Sequence, residues 1–182
     1  MRNSVYSKKK YNNSCSYVKY THDRNHFFRY FRKFKKTYPV MMQVESFLLK
    51  GRPFPEGRYV NAVAFLTELK TRGLIGTHDG DRAMGDIVLY QESAETPFPS
   101  IHGGEAHSYV GDVTGRDDGG VIISMIAGAD DRTCLNEQSR HALYFAFGTP
   151  GMAPEVLQGD LEQLSVYART LAPAATMDLR MI

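Results

Sequence analysis

Four short runs rich in β-branched and aromatic residues lie between two helical patterns. That succession constrains the fold more than any other feature of the chain. GDIVLY (85–90), HSYVGDV (107–113), VIISMIAG (121–128) and HALYFAFG (141–148) read as strands, and RDDGG (116–120) as a turn between the second and third. Ahead of them, Tyr59–Arg72 places apolar residues at 59/60, 63, 66 and 69, which is helical spacing, with Gly73 as the C-cap. Residues 73–84 read as a polar loop, and Met42–Leu49 as a short helix or strand. Behind them, Pro154–Leu171 opens with proline and carries leucines at 157, 161, 164 and 171, a closing amphipathic helix. A helix, an antiparallel meander and a closing helix make an α+β chain, not a βαβ one.

The charge divides the chain. Residues 1–38 hold eleven Lys/Arg against the single Asp23, a net +10, whereas residues 39–182 hold eleven basic residues and nineteen acids, a net −8. The overall +2 therefore describes neither part. Met1–Tyr20 is polar and aperiodic. Asn25–Lys36 is a basic amphipathic helix: Phe27, Tyr30, Phe31 and Phe34 fall on one side, and Arg29, Arg32, Lys33 and Lys36 on the other. Its aromatic stripe suits docking onto the acidic remainder. Its cations, with those from residue 2 onward, suit an anionic surface such as membrane, cell wall or nucleic acid. The predicted division is a basic aromatic N-terminal region (1–38), a main domain (40–172) and a C-terminal tail (173–182).

No apolar run reaches the roughly 18–20 residues of a membrane span. No apolar stretch follows Met1–Lys10 as a secretory signal requires. The expected location is cytoplasmic as synthesised, with secretion by a signal-independent route left open. Cys15 and Cys134 suggest neither a disulfide framework nor a cysteine-built metal site, and both read as incidental thiols.

Taken in order, NAVAFL (61–66), GDIVLY, HSYVGDV and DDGGVIISM (117–125) resemble the pattern of papain-like thiol hydrolases of the NlpC and CHAP amidase type. The resemblance covers about residues 58–128, with His107 standing 45 positions after position 62. It implies a papain-like α+β fold in which the first helix packs on the antiparallel sheet. It also implies a cysteine nucleophile at that helix's N-terminus, activated by the helix dipole and by a histidine. In this sequence the nucleophile position is Ala62, the histidine is His107, and Asn61 stands as the helix cap. The third catalytic group falls on Asp118 or Ser124, and Asn61, His102 and Tyr109 fall along the substrate cleft. No cofactor or metal is implied.

A methyl group cannot attack a carbonyl. Three origins account for Ala62: a deliberate cysteine-to-alanine substitution, natural loss of the nucleophile, or an accidental likeness. The first is favoured because His107 and Asn61 persist. The expected function is peptide or amide cleavage in peptidoglycan or a protein substrate, in a nucleophile-less form. The alternatives are a secreted effector or toxin with deamidase or acyltransferase chemistry on a host protein, and a non-catalytic binding module for an anionic polymer. A rival metal reading groups His78, Asp79, Asp81, His102, Glu105 and His107, whose spacings match no strong template. The oligomeric state stays open.

Overall fold

The computed structural model describes residues 25–54, 59–136 and 138–182. Met1–Tyr20, Cys15 and part of the loop at 51–57 lie outside the described residues. Among those described, the order is α1 (Asn25–Lys33), α2 (Pro39–Val44) running into a π-helical turn (Glu45–Leu49), α3 (Tyr59–Thr71), β1 (Leu74–Asp79), a 3-10 turn (Gly80–Arg82), β2 (Val88–Gln91), β3 (Pro97–Pro99), β4 (Glu105–His107), β5 (Val113–Asp117), β6 (Gly120–Ser124), β7 (Gly128–Ala129), β8 (Ala142–Phe147) and α4 (Pro154–Leu171). The fold is α+β with antiparallel sheets throughout. β2-β5-β6-β7 form one sheet, β1 pairs with β8, and β3 pairs with β4.

The aromatic stripe of α1 is the centre of the main core. Phe27 is fully buried and stacks on Tyr38 with ring centroids 4.9 Å apart. Tyr30, Phe31 and Tyr38 join Val40 and Val44 of α2, Ile122 and Ile123 of β6, and Phe147 of β8 in one cluster. The expected boundary at residues 38/40 therefore does not separate two cores. α1 is part of the same packed body as the strands, because its aromatics are the largest apolar surface available to cover β6.

β8 explains its own composition. Phe145 and Phe147 face this main core, while Tyr144 and Ala146 face a second cluster with Ile75, Val63 and Ala64 of α3, and Leu164 of α4. A strand covered on both faces reads as a continuous apolar run rather than an alternating one.

Five local expectations need correction. Residues 73–84 are not simply a loop, because β1 occupies Leu74–Asp79, paired in register from Leu74↔Phe147 to Asp79↔Ala142. Its Gly-Thr-His-Asp sequence hides the strand. At Gly76 the absent side chain leaves room for Ile123 Cδ1, which would have to move if a Cβ stood there. Arg72, at φ 61°, takes the left-handed position after α3, whereas Gly73 makes room for the buried Asp160 carboxylate. HSYVGDV is not one strand: β4 ends at His107 and β5 begins at Val113, with Gly111 at φ 84° in the turn between. VIISMIAG stops as a strand at Ser124, and GDIVLY becomes one only at Val88. Asn61 lies within the first turn of α3, which already includes Tyr59, so it stands inside the helix and not at its cap.

Phe27→Ala should cost about 3–5 kcal/mol in urea unfolding, the cost typical of truncating a buried phenylalanine. A loss below about 1 kcal/mol would mean that α1 is an appendage.

Candidate functional site

The residues suggested by the amidase pattern lie on different elements of the fold. Ala62 is half-buried on α3, which packs against β1, α2 and α4. The face of the β1–β8 ribbon turned toward α3 carries Ile75, Tyr144 and Ala146, and the Tyr144 hydroxyl donates to Val60 O at 2.9 Å. His107 is exposed at the end of the β3–β4 hairpin, where its Nε2 lies 3.2 Å from Glu105 Oε1. Asp118 is exposed in the β5–β6 turn, and its carboxylate rests where a Cβ on Gly85 would sit. Ser124 is buried and donates to Asp112 Oδ2 at 2.5 Å. His102 is exposed in the 101–104 loop, its backbone N–H donating to Ser100 Oγ. Tyr109 is spent on docking α1: its ring meets Phe34 edge-on at 5.8 Å and lies 5.4 Å from the Lys36 ammonium. Among the described residues, no hydrogen bond or ion pair joins any two of Ala62, His107, Asp118 and Ser124.

Two buried polar networks do exist. In the first, Asp112 is fully buried and accepts from the Tyr30 hydroxyl (2.6 Å), from Ser124 Oγ and from Ile126 N–H (3.1 Å). Val113 N–H donates to the same Tyr30 oxygen at 2.7 Å. Burial raises the Asp112 pKa despite these donors. Burial and the adjoining carboxylate likewise raise that of Tyr30. The network pins α1 to the turn before β5 and to the end of β6.

In the second network, the Thr133 hydroxyl makes a very short bond to Asp130, so its oxygen is left to accept from His78 Nδ1–H at 2.7 Å. This fixes the tautomer and leaves the His78 Nε2 lone pair buried and without a partner among the described residues. Burial, then the nearby Arg132 charge, hold the His78 pKa down to about 4. The imidazole is therefore neutral near pH 7, and its 4.0 Å approach to Asp130 is not an ion pair there. The relay resembles a catalytic orientation, but His78 has no exposure and packs edge-on to Phe145. A substrate cannot reach it, and the relay serves as structure. Burial pushes the Asp117 pKa up, but hydrogen bonds from Arg132 (2.7 Å), Met84 N–H and Gly119 N–H outweigh it, and the net shift is downward.

The six residues of the metal reading are not assembled. His78 turns to Thr133, Asp79 accepts from Ser139 Oγ at 2.6 Å, and Asp81 pairs with His141. Among the described residues, no group of three or more His, Cys, Asp and Glu side chains could hold a metal ion.

What remains free is cationic. Arg29, Arg32 and Lys33 on the outer side of α1, and Lys35 and Lys36 just after it, are exposed; Lys33 and Lys36 lie over the Tyr30 and Tyr109 rings, and none of the five has an acidic partner among the described residues. Beside this face lies a cavity of about 260 Å³ between α1 and the loop joining β8 to α4. His26, Arg29 and Lys33 line it from one side, Thr149 and Gly151 from the other, and the Tyr30 ring forms a wall. The sequence signals the basic stripe but not the cavity, because Thr149 has no pattern to mark it. No protein-family model matches the sequence, and no curated protein is significantly similar to it. Function is therefore read from these side chains.

His78 and Glu68 set opposing pH dependences. Burial pushes the Glu68 carboxyl up to about 7, even though Oε1 accepts from Ile75 N–H. The folded state then binds an extra proton between about pH 4.5 and 7, so Glu68 makes stability fall as pH rises through that window. His78 does the reverse: its contribution is complete above about pH 6.5 and is lost as pH falls toward 4. Glu68→Gln keeps the acceptor and removes the first effect. Urea unfolding from pH 4.5 to 7.5 should show its stability relative to wild type growing by roughly 3 kcal/mol. A constant offset across that range would mean that Glu68 ionises in the fold as it does in the unfolded chain.

Proposed function

We propose that the chain is a non-catalytic binding module for a phosphate-rich anionic polymer, presented on an α+β scaffold. The observation that carries this reading is the orientation of α1. Its aromatic face is buried, so Arg29, Arg32 and Lys33 are held outward, with Lys35 and Lys36 exposed just beyond its end, and none has an acidic partner among the described residues. Ordered cations bind a polyanion with less entropic cost than a flexible basic arm does, and each phosphate contact releases counterions. Tyr30 and Tyr109 are occupied in docking, so recognition along α1 is by charge and not by base stacking.

A second reading keeps the amidase resemblance: a papain-like scaffold whose nucleophile position holds Ala62, descended from or converted from a peptidase, amidase or effector. The chain order of α3 followed by the antiparallel β2, β5 and β6 favours it. The break in the run 107–113, which leaves His107 on the β3–β4 hairpin and outside the sheet of β2, β5 and β6, weighs against a working dyad. In this reading Ala62→Cys restores thiol-dependent amide hydrolysis, lost again in Ala62→Cys/His107→Ala. In the binding reading it produces only an ordinary thiol.

The binding module predicts measurable affinity for single-stranded oligonucleotides that falls steeply with salt. Arg32→Gln/Lys35→Gln should lower the slope of log K against log salt by roughly 1–1.5. Affinity that ignores salt, or a slope unchanged in the double variant, would refute the module.

A further inference from the structure

We infer that the cavity between α1 and the β8–α4 loop is a subsite for a terminal phosphate monoester. The inference rests on the polyanion reading and names the group that the surface recognises most closely. Its first support is an orphan. Thr149 is more than nine-tenths buried and lines the cavity, yet its Oγ1 has no hydrogen-bond partner among the described residues. A buried hydroxyl left unpaired is costly, and a ligand oxygen in the cavity would recover that cost. The Tyr30 hydroxyl lines the same region but is already bonded to Asp112 and Val113, so it adds a wall and not a donor.

The second support is charge count. Arg29 and Lys33 stand one helical turn apart on the cavity side of α1, with His26 a turn earlier. Two permanent cations match a phosphate monoester, which carries about −1.5 to −2 near neutrality, better than they match a diester. The Arg29 guanidinium can offer paired N–H donors to two phosphate oxygens.

The third is size and closure. About 260 Å³ is below the roughly 300–1,000 Å³ of whole-ligand pockets, so the cavity takes a group rather than a molecule. Gly151, at φ 82°, carries the loop close to the helix: a Cβ there would stand 3.3 Å from His26 Cε1. The remainder of the ligand then leaves along the basic face of α1.

The test uses the full chain, with inorganic phosphate and single-stranded oligonucleotides with and without a 5′-phosphate as probes at constant ionic strength. Wild type should bind the 5′-phosphorylated strand about tenfold more tightly, and inorganic phosphate should abolish that preference. Thr149→Val keeps the shape and removes the hydroxyl. It should be as stable as wild type or more so, and should lose about tenfold in phosphate affinity. Arg29→Gln/Lys33→Gln should lose at least as much, while Arg116→Gln, on β5, should lose nothing. Equal binding of both strands, or phosphate protecting Thr149→Val as well as wild type, overturns the subsite. Salt-dependent polymer binding that survives such a result leaves the module standing without the subsite. Phosphate binding that vanishes in Thr149→Val, in a protein with no affinity for polymer, sinks the module and keeps the subsite.

Discussion

The buried carboxylate of Asp112 is the contact on which the rest of the architecture depends. It holds three segments distant in sequence: Tyr30 from α1, its own turn ahead of β5, and Ser124 with Ile126 at the end of β6. A carboxylate withdrawn from water costs several kcal/mol unless its lone pairs are met, and breaking such a network strands the remaining partners. The three donors thus specify one arrangement of α1 over the sheet. The apolar contacts of Phe27 and Phe31 supply area without direction, and the Tyr30–Asp112 bond supplies the direction.

From that anchoring follows the charge distribution at the surface. A helix whose aromatic stripe is locked against β6 cannot hide its opposite face. Among the described residues of the basic segment, Arg29, Arg32, Lys33, Lys35 and Lys36 are exposed while Phe27, Tyr30 and Phe31 are buried. The loop after β8 then meets the free flank of α1 and leaves the Thr149 hydroxyl against a basic wall.

Much of this was legible in the sequence, and the failures have physical causes. α4 was readable end to end, because Pro154 and four leucines at helical spacing leave little choice. The inward stripe of α1 was readable for the same reason. β1 was not, since LIGTHD carries too few apolar residues to signal a strand. It exists because β8 pairs with it and because Gly76 admits Ile123. The roles of Ser124 and Asp112 were not legible either. A lone serine after an apolar strand gives no hint of a carboxylate brought to it by a distant turn. Thr149 and Thr133 were missed because hydroxyls carry no periodic signal, and only tertiary placement separates the orphan from the satisfied.

The turn that anchors α1 also divides the run that the amidase-like order reads as a single histidine strand. An unbroken strand from His107 to Asp117 would carry the histidine into the sheet that holds β2 and β6. Instead Gly111 takes a left-handed conformation and Asp112 turns inward. Backbone bonds from Gly111 N–H to Glu92 O and from Glu92 N–H to Asp112 O close the corner. The first half of the run pairs with β3 and the second with β2, so His107 leaves on a separate hairpin. α3 meanwhile packs against β1 and α4. A sulfur at position 62 would have the helix dipole, and a dipole alone lowers a thiol pKa without supplying a proton to the leaving group. The Gly111–Asp112 corner therefore does two things at once: it seats the basic helix, and it places His107 on a hairpin outside the sheet of β2, β5 and β6.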